Sequence, residues 1–344
     1  MNVQDTGNWA AWQMEAKAAR FEVKEAPMWT PGEGEVLVRN RAVAVNPVDI
    51  AVQTLDFFSF KYPTILGHDL AGEVVEVGPG VTLYKKGDRV LGQAIGMMTR
   101  ENKHDAFQLF TVVPENLVTG LPDELSFEEA SVLPLGFATA AAGLFQDDFL
   151  KLQYPTVPAQ RSKNETVLIW GGSSSVGSNA VQLAVAAGYE VISTASPHNF
   201  EYVKNLGAAQ VLDYKSPTIV EDLVKILKNK TFAGTMECIG GDTATPVCMD
   251  VVRQLNGVKF VALTRGDPSQ YPDIPCKHVW ASTIKDNQVG KAVCNDFLPE
   301  ALKKGTFLAA PKPSIVGHGL DEIQNAVSLY AKGGLSAKKL VVTL

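Results

Sequence analysis

Residues 166–177 read Thr166-Val167-Leu168-Ile169-Trp170-Gly171-Gly172-Ser173-Ser174-Ser175-Val176-Gly177. The first five, apolar or β-branched throughout, predict a strand buried on both faces. The small residues after them predict a tight turn. Ser178 to Ala187 predicts a helix closed by Gly188. Strand, small-residue turn and helix together form the context of a phosphate-binding turn. Small side chains let the backbone approach a pyrophosphate, and the helix N-terminus offers N–H groups and a partial positive charge. The match to G-x-G-x-x-G is incomplete: Gly172 and Gly177 fit, while Ser174 holds the middle place. Gly172, Ser173, Ser174, Ser175, Val176 and Gly177 are therefore expected to hold a dinucleotide.

Downstream, the pattern repeats. Strands are expected at Glu190 to Thr194, Ala209 to Leu212, Ala233 to Cys238 and Val258 to Leu263. Helices are expected at Asn199 to Leu206 and Val220 to Lys228. Apolar strands separated by helices imply a doubly wound parallel sheet. The end of the second strand bears on the cofactor. NAD sites usually place a carboxylate there for the ribose hydroxyls. Here Ser193-Thr194-Ala195-Ser196-Pro197-His198-Asn199 carries none. Nothing would repel a 2′-phosphate, so NADPH is favoured, with Ser196, His198 and Asn199 as donors. Ser196-Pro197 also reads as a helix cap. Lys204 and Lys215 are the nearer cations, and Lys204 also reads as a solvated helix residue.

Upstream, short strands alternate with Gly/Pro turns. Pro31-Gly32-Glu33-Gly34 precedes a strand from Glu35 to Val45, and others are expected at Ala71 to Gly78, Arg89 to Gly92 and Phe107 to Pro114. This punctuation suggests a partly open β-barrel. The pattern changes at Ser126-Phe127-Glu128-Glu129, which has the shape of a capping box. A helix should follow, interrupted by Pro134. Gln146 to Asn164 reads as a linker. An amphipathic helix from Asp321 to Ala331 and a strand from Lys339 to Leu344 close the chain. The expected division is a first domain over residues 1–125, a second over 126–310, and a return to the first over 311–344.

With 344 residues the chain is long enough for two cores. A net charge of −6 and the lack of a long basic run argue against nucleic-acid or anionic-membrane partners. No apolar stretch reaches the roughly 18 residues of a membrane helix, and Met1 to Asp5 lacks the basic start of a signal peptide. The four cysteines are scattered and form no CxxC, which reads as reduced thiols in the cytoplasm.

Asn46-Pro47-Val48-Asp49, Pro63-Thr64-Ile65-Leu66-Gly67-His68-Asp69, Gly87-Asp88-Arg89-Val90, Ala130-Ser131-Val132-Leu133-Pro134, Val176-Gly177 and Leu335-Ser336-Ala337-Lys338-Lys339-Leu340-Val341 carry a family resemblance from about residue 9 to the end. The chain resembles the zinc-independent branch of the medium-chain dehydrogenase/reductase superfamily, with its quinone oxidoreductases and enoyl reductases. It is most similar to fungal trans-acting enoyl reductases of polyketide pathways and their zinc-binding-dehydrogenase-like relatives. The resemblance implies an α/β architecture: a GroES-like barrel domain and a Rossmann domain, with the active site in the cleft between them. It implies that Asn46, Pro47 and Asp49 line the nicotinamide end, Thr139 lies near the nicotinamide, Tyr214 lies near the 2′-phosphate, and Ile239, Leu263 and Thr264 border the cofactor.

Zinc-dependent members carry ligand cysteines near Asn46 and near Pro134-Leu135-Gly136, and neither is present here. The cysteine-rich structural zinc loop is also missing. His68 alone cannot supply the three protein ligands of a catalytic zinc, so no metal is expected. Related enoyl thioester reductases place a tyrosine proton donor eight residues after the equivalent of Asp49, where this chain has Phe57. Tyr62, Lys61 and solvent remain as donors. Phe57-Phe58-Ser59-Phe60 and Met97-Met98 suggest an apolar substrate region or barrel core. Lys103, His104 and Asp105 read as a solvated polar loop. The expected activity is NADPH-dependent reduction of the C=C bond of an α,β-unsaturated carbonyl compound, a small apolar molecule or a carrier-bound polyketide, by a monomer or homodimer. Quinone reduction, or NADPH binding without turnover, is the alternative.

Overall fold

The computed structural model describes residues 7–55, 58 and 60–344. The chain opens with strands β1 (Asn8–Gln13), β2 (Glu22–Ala26) and β3 (Glu35–Ala44), then helix α1 (Pro47–Leu55). Strands β4 (Thr64–Ile65), β5 (Asp69–Val77) and β6 (Arg89–Gln93) follow, then α2 (Gly96–Thr99), β7 (Phe110–Pro114), β8 (Val118–Gly120), α3 (Phe127–Ala130) and α4 (Pro134–Phe145). The alternating part comprises β9 (Glu165–Trp170), α5 (Ser175–Ala186), β10 (Glu190–Ala195), α6 (Phe200–Asn205), β11 (Gln210–Asp213), α7 (Ile219–Leu227), β12 (Thr231–Glu237), α8 (Ala244–Arg253), β13 (Val261–Leu263) and β14 (Cys276–His278). After α9 (Gln288–Gly290) and α10 (Leu298–Lys303), the chain ends with β15 (Lys312–His318), α11 (Glu322–Ala331) and β16 (Lys338–Thr343).

Two compact units result: residues 1–135 with 312–344, and residues 136–311. The first therefore runs past Ser126, where the sequence pattern placed the start of the second domain. The reason is local. The Ser126 hydroxyl and the Glu129 carboxylate form the expected capping box, but the helix it opens packs on β3, β5, β15 and β16. Pro134 does not interrupt a helix; it begins α4, at a position where its missing N–H costs nothing.

In the first unit the strands form a mainly antiparallel sheet in the order β15-β16-β3-β5-β6-β8, with β7 also paired to β3 and β15 parallel to β16. A smaller sheet has the order β2-β1-β4. Val36, Val38, Leu70, Val90, Val112 and Val341 are wholly or almost wholly buried. The second unit is a six-stranded parallel sheet in the order β11-β10-β9-β12-β13-β14. The sheet places Leu168, Ile192, Phe232, Val261 and Leu263 in one core with Leu223 of α7 and Met249 of α8. Fully burying a side chain of this size contributes about 1.5–3 kcal/mol. The order reverses between β10-β9 and β9-β12, and in such sheets ligands bind at the carboxyl ends of the strands beside that reversal.

Candidate active site

In the first unit, β3 delivers the chain to Asn46 and the first turn of α1 brings Asp49 back beneath it. The Asp49 carboxylate accepts the Asn46 backbone N–H at 2.8 Å, and its other oxygen lies 2.9 Å from His68 Nδ1. This assigns the ring proton to Nδ1. His68 Nε2 is buried and has no hydrogen-bond partner among the described residues. The Asn46 side chain donates to Asp69 Oδ2 at 2.8 Å and accepts from Lys339 Nζ at 2.8 Å. Lys339 also pairs with Asp69 Oδ2 at 2.6 Å, and Asp69 Oδ1 accepts the Leu135 N–H at 2.6 Å. Asn46, Asp49, Asp69, His68 and Lys339 are all buried. Bonding on this scale is what allows charges to sit inside a protein.

This donor set does not fit a catalytic zinc ion. Such an ion takes three protein ligands. Of the atoms here only His68 Nε2 is uncommitted, and the Lys339 ammonium already holds Asn46 Oδ1 and Asp69 Oδ2. A metal cation there would meet a like charge. Among the described residues no group of three His, Cys, Asp or Glu is gathered for a metal.

Lys103, His104 and Asp105 do not form the solvated loop the sequence suggested. His104 and Asp105 are buried, because Phe107 and Ala106 beside them enter the core. His104 bonds Glu35 through Nε2 at 2.8 Å and Thr99 through Nδ1 at 2.9 Å. Burial pushes its pKa down, and the Glu35 carboxylate opposes that. Burial pushes the Asp105 carboxyl well above the usual range; Asp49 adds to the shift and Arg100 opposes it. Tyr62 is half-buried and Pro47 exposed. Phe58 and Phe60 meet edge to face, with ring centres 6.4 Å apart. Phe57 and Ser59 lie outside the described residues.

In the second unit the turn after β9 is tied to the end of β10. Gly171 N–H donates to Thr194 Oγ1 at 3.0 Å and Gly172 N–H to the Thr194 carbonyl at 2.9 Å. Gly171 has φ +85°, a left-handed conformation that favours glycine. The Ser174 hydroxyl caps α5 by accepting Gly177 N–H at 3.0 Å. A Cβ on Gly177 would collide with the Gly171 carbonyl oxygen, so α5 begins in direct backbone contact with the turn. A turn of small residues leading into a helix N-terminus is of a kind that fits a dinucleotide pyrophosphate. Ala195 pairs with Asp213 across β10 and β11, which brings Ser196 and Tyr214 to neighbouring strand ends. Tyr214 is exposed, with the Lys215 ammonium 5.6 Å from its ring centre. Asn199 is buried, His198 exposed and Thr139 half-buried.

At the end of β12 the sequence reading missed Glu237. It is fully buried, and its carboxylate accepts the N–H groups of Ile239 at 2.9 Å and Gly240 at 2.8 Å and the Thr245 hydroxyl at 3.3 Å. Burial raises its pKa; the hydrogen bonds and Arg265 oppose that. The carboxylate thus holds the loop that sets exposed Ile239 against Gly171. Leu263 belongs to the buried core, whereas Thr264 beside it carries a buried hydroxyl without a hydrogen-bond partner among the described residues.

Residues 32–135 match the family model of the alcohol dehydrogenase GroES-like domain, and residues 175–288 match that of the zinc-binding dehydrogenase. Such domains define the medium-chain dehydrogenase/reductases, and the chain belongs to that superfamily of oxidoreductases. It is 51% identical to the zinc-binding alcohol dehydrogenase domain-containing protein cipB of Emericella nidulans, over 98% of each chain. It is 37% identical to the trans-enoyl reductase himH of Aspergillus japonicus, covering 98% of this chain and 97% of that one. An alcohol dehydrogenase superfamily protein from Novosphingobium aromaticivorans shares the fold with a TM-score of 0.77 at 26% identity, over 98% of this chain and 99% of that one. The CurK enoyl reductase does so with a TM-score of 0.75 at 22% identity, over 98% and 99%. The GroES-like and Rossmann architecture expected from the sequence is thereby shown.

Proposed function

We propose that this oxidoreductase is an NADPH-dependent, metal-independent reductase of the C=C bond of α,β-unsaturated carbonyl compounds. The observation that carries the proposal is the buried Asn46–Asp69–Lys339 network, which occupies the place where zinc-dependent relatives gather ligands. Reducing a plain carbonyl concentrates charge on one oxygen and calls for a strong electrophile. Reducing a conjugated alkene spreads the charge over an enolate, which needs less help. NADPH, when bound, supplies the hydride for the β carbon.

The chain's residues bind and orient. Gly172, Ser173, Ser174, Ser175, Val176 and Gly177 hold the pyrophosphate, and Ser196, His198, Asn199 and Tyr214 hold the 2′-phosphate. Thr139, Ile239 and Thr264 border the nicotinamide half. The Asn46 amide is bonded at both ends, so it acts as a positioning residue, as does Asp49 through His68. Tyr62 is the candidate proton donor to the α carbon, with water as its substitute. The trans-enoyl reductase among the relatives supports the reading, as does the likeness to a mycobacterial protein solved with NADPH. A carrier-bound polyketide fits as substrate, and the cytoplasm fits four free cysteines.

The test is NADPH oxidation by metal-stripped protein, with an enone and a quinone in parallel and products weighed by mass spectrometry. A saturated ketone is expected. Turnover of the quinone alone would replace this reading with quinone reduction. NADPH binding without oxidation by either acceptor or by an enoyl thioester would leave a non-catalytic role. Tyr62→Phe should lower kcat; an unchanged kcat would assign the proton to water.

A further inference from the structure

In the first unit, helices α1 and α11 pack against each other, and with the segment 17–19 they bound a cavity of about 300 Å³. That size lies at the lower end of small-molecule pockets. Its lining has an apolar side, Ile50, Val327 and Ala331, and a polar side, Gln53, Gln324 and Ser328. Exposed Lys17 stands at the rim. Neither the glycine-rich turn nor the Asn46–Asp69–Lys339 network uses any of these residues.

The polar side has a fixed sense. Phe21 N–H donates to Gln324 Oε1 at 3.0 Å, which settles which end of that amide is the carbonyl. Gln53 must then turn its NH2 toward the same oxygen, and it does so at 2.8 Å. Its own Oε1 accepts from no described residue, although Gln53 is only 3% exposed. At the other end, Gln324 Nε2 donates to Ser328 Oγ at 3.2 Å. The Ser328 oxygen is thereby an acceptor, and its proton meets no acceptor among the described residues. One cavity thus offers a buried carbonyl in need of a donor and a hydroxyl in need of an acceptor, and leaving such groups unmet is costly.

A ligand hydroxyl answers both needs, because it donates and accepts through one atom. A carboxylate only accepts and would set a negative oxygen against Gln53 Oε1. An ammonium only donates and would meet the like charge of Lys17. The apolar side asks for a hydrocarbon body, and a cation at the rim favours the face of an aromatic ring. We propose that this cavity is a binding site for a small phenol, whose hydroxyl donates to Gln53 Oε1 and accepts the Ser328 O–H while its ring lies against Ile50 and Val327. The site shares α1 with Asp49, one turn before Gln53. Its occupant ties α1 to α11 and so braces the helix that presents the Asp49 carboxylate to His68.

The experiment titrates the full chain, methyl-labelled at isoleucine and valine, with phenol, anisole and benzoate, and follows the Ile50 and Val327 methyl signals by NMR. Phenol should move both signals saturably. Anisole, which lacks the donor, should bind at least about tenfold more weakly, the loss of the bond to a buried carbonyl. Ser328→Ala should weaken phenol about fivefold, one neutral hydrogen bond, and Ala331→Phe, at the exposed end of α11, should block it. Phenol that leaves both methyls unmoved would overturn the proposal. Equal affinity for anisole and phenol would overturn it in wild-type protein alone, whatever the variants do. Tighter binding of benzoate would replace it with an anion site at Lys17, and unchanged binding in Ala331→Phe would place the phenol elsewhere. None of these readouts needs NADPH, so the inference and the reductase reading stand or fall separately.

Discussion

A buried ammonium is tolerable only when its hydrogens are used, and Lys339 spends them on Asp69 and Asn46 at 2.6 and 2.8 Å. Removing one partner of such a pair strands the other charge away from water. Lys339→Met should therefore destabilise the protein by about 3–5 kcal/mol, read from urea unfolding. A loss below about 1 kcal/mol, the range of surface pairs, would show the network to be open to solvent. Asp105 makes the opposite case. Its folded-state pKa is raised by burial first and by Asp49 second. With a raised pKa the native state binds the proton more tightly than the unfolded chain. Stability from this group is complete below the ordinary aspartate range and is lost as pH rises through the folded value. Asp105→Asn cannot ionise, so its stability relative to wild type should climb as pH is raised. Unfolding midpoints of the two proteins that move in parallel with pH would refute the assignment.

The glycine-rich turn owes its form to strand β9 before it and helix α5 after it. Gly177 leaves no space for a Cβ next to the Gly171 carbonyl. Gly177→Ala must push the turn away from the start of α5, and NADPH affinity should fall by tenfold or more, about 1.4 kcal/mol for each decade, while circular dichroism stays native. Full affinity in that variant would mean that the backbone does not carry the pyrophosphate. These elements were legible in sequence because a buried apolar strand and a capped helix each have a strong local signature. Strand β15 was not: Pro313 and Gly317 argue against a strand, and it lies at the sheet edge where proline is tolerated. Asn46, Asp49 and Asp69 fall in short motifs and could be picked out from the sequence. Lys339 pairs with Asn46 across 293 positions, a separation for which no local pattern speaks. Glu237 was hidden for a different reason. A carboxylate that ends a strand looks solvated until the loop N–H groups that bind it are seen.

At the scale of the molecule, each compact unit buries its own core, and no described helix is long and apolar enough to cross a membrane. The net charge of −6 bears on how an anionic cofactor is held. On the proposed reading, a negative protein gains nothing from long-range attraction of NADPH, so binding must come from local groups: helix-terminal N–H groups, small side chains and single cations. Binding to the native state alone stabilises by RT ln(1 + [L]/Kd), about 2.7 kcal/mol at a hundredfold excess over Kd. In the second unit the gain in amide protection should concentrate at residues 171–177, 195–199, 214–215 and 239–241. Strands β9 and β12, already deep in the sheet, should gain little beyond the global increment. Hydrogen exchange followed by mass spectrometry with and without saturating NADPH makes the comparison. Protection confined to 195–199 and 214–215, with 171–177 unchanged, would mean that the 2′-phosphate end binds while the pyrophosphate is not held by the turn.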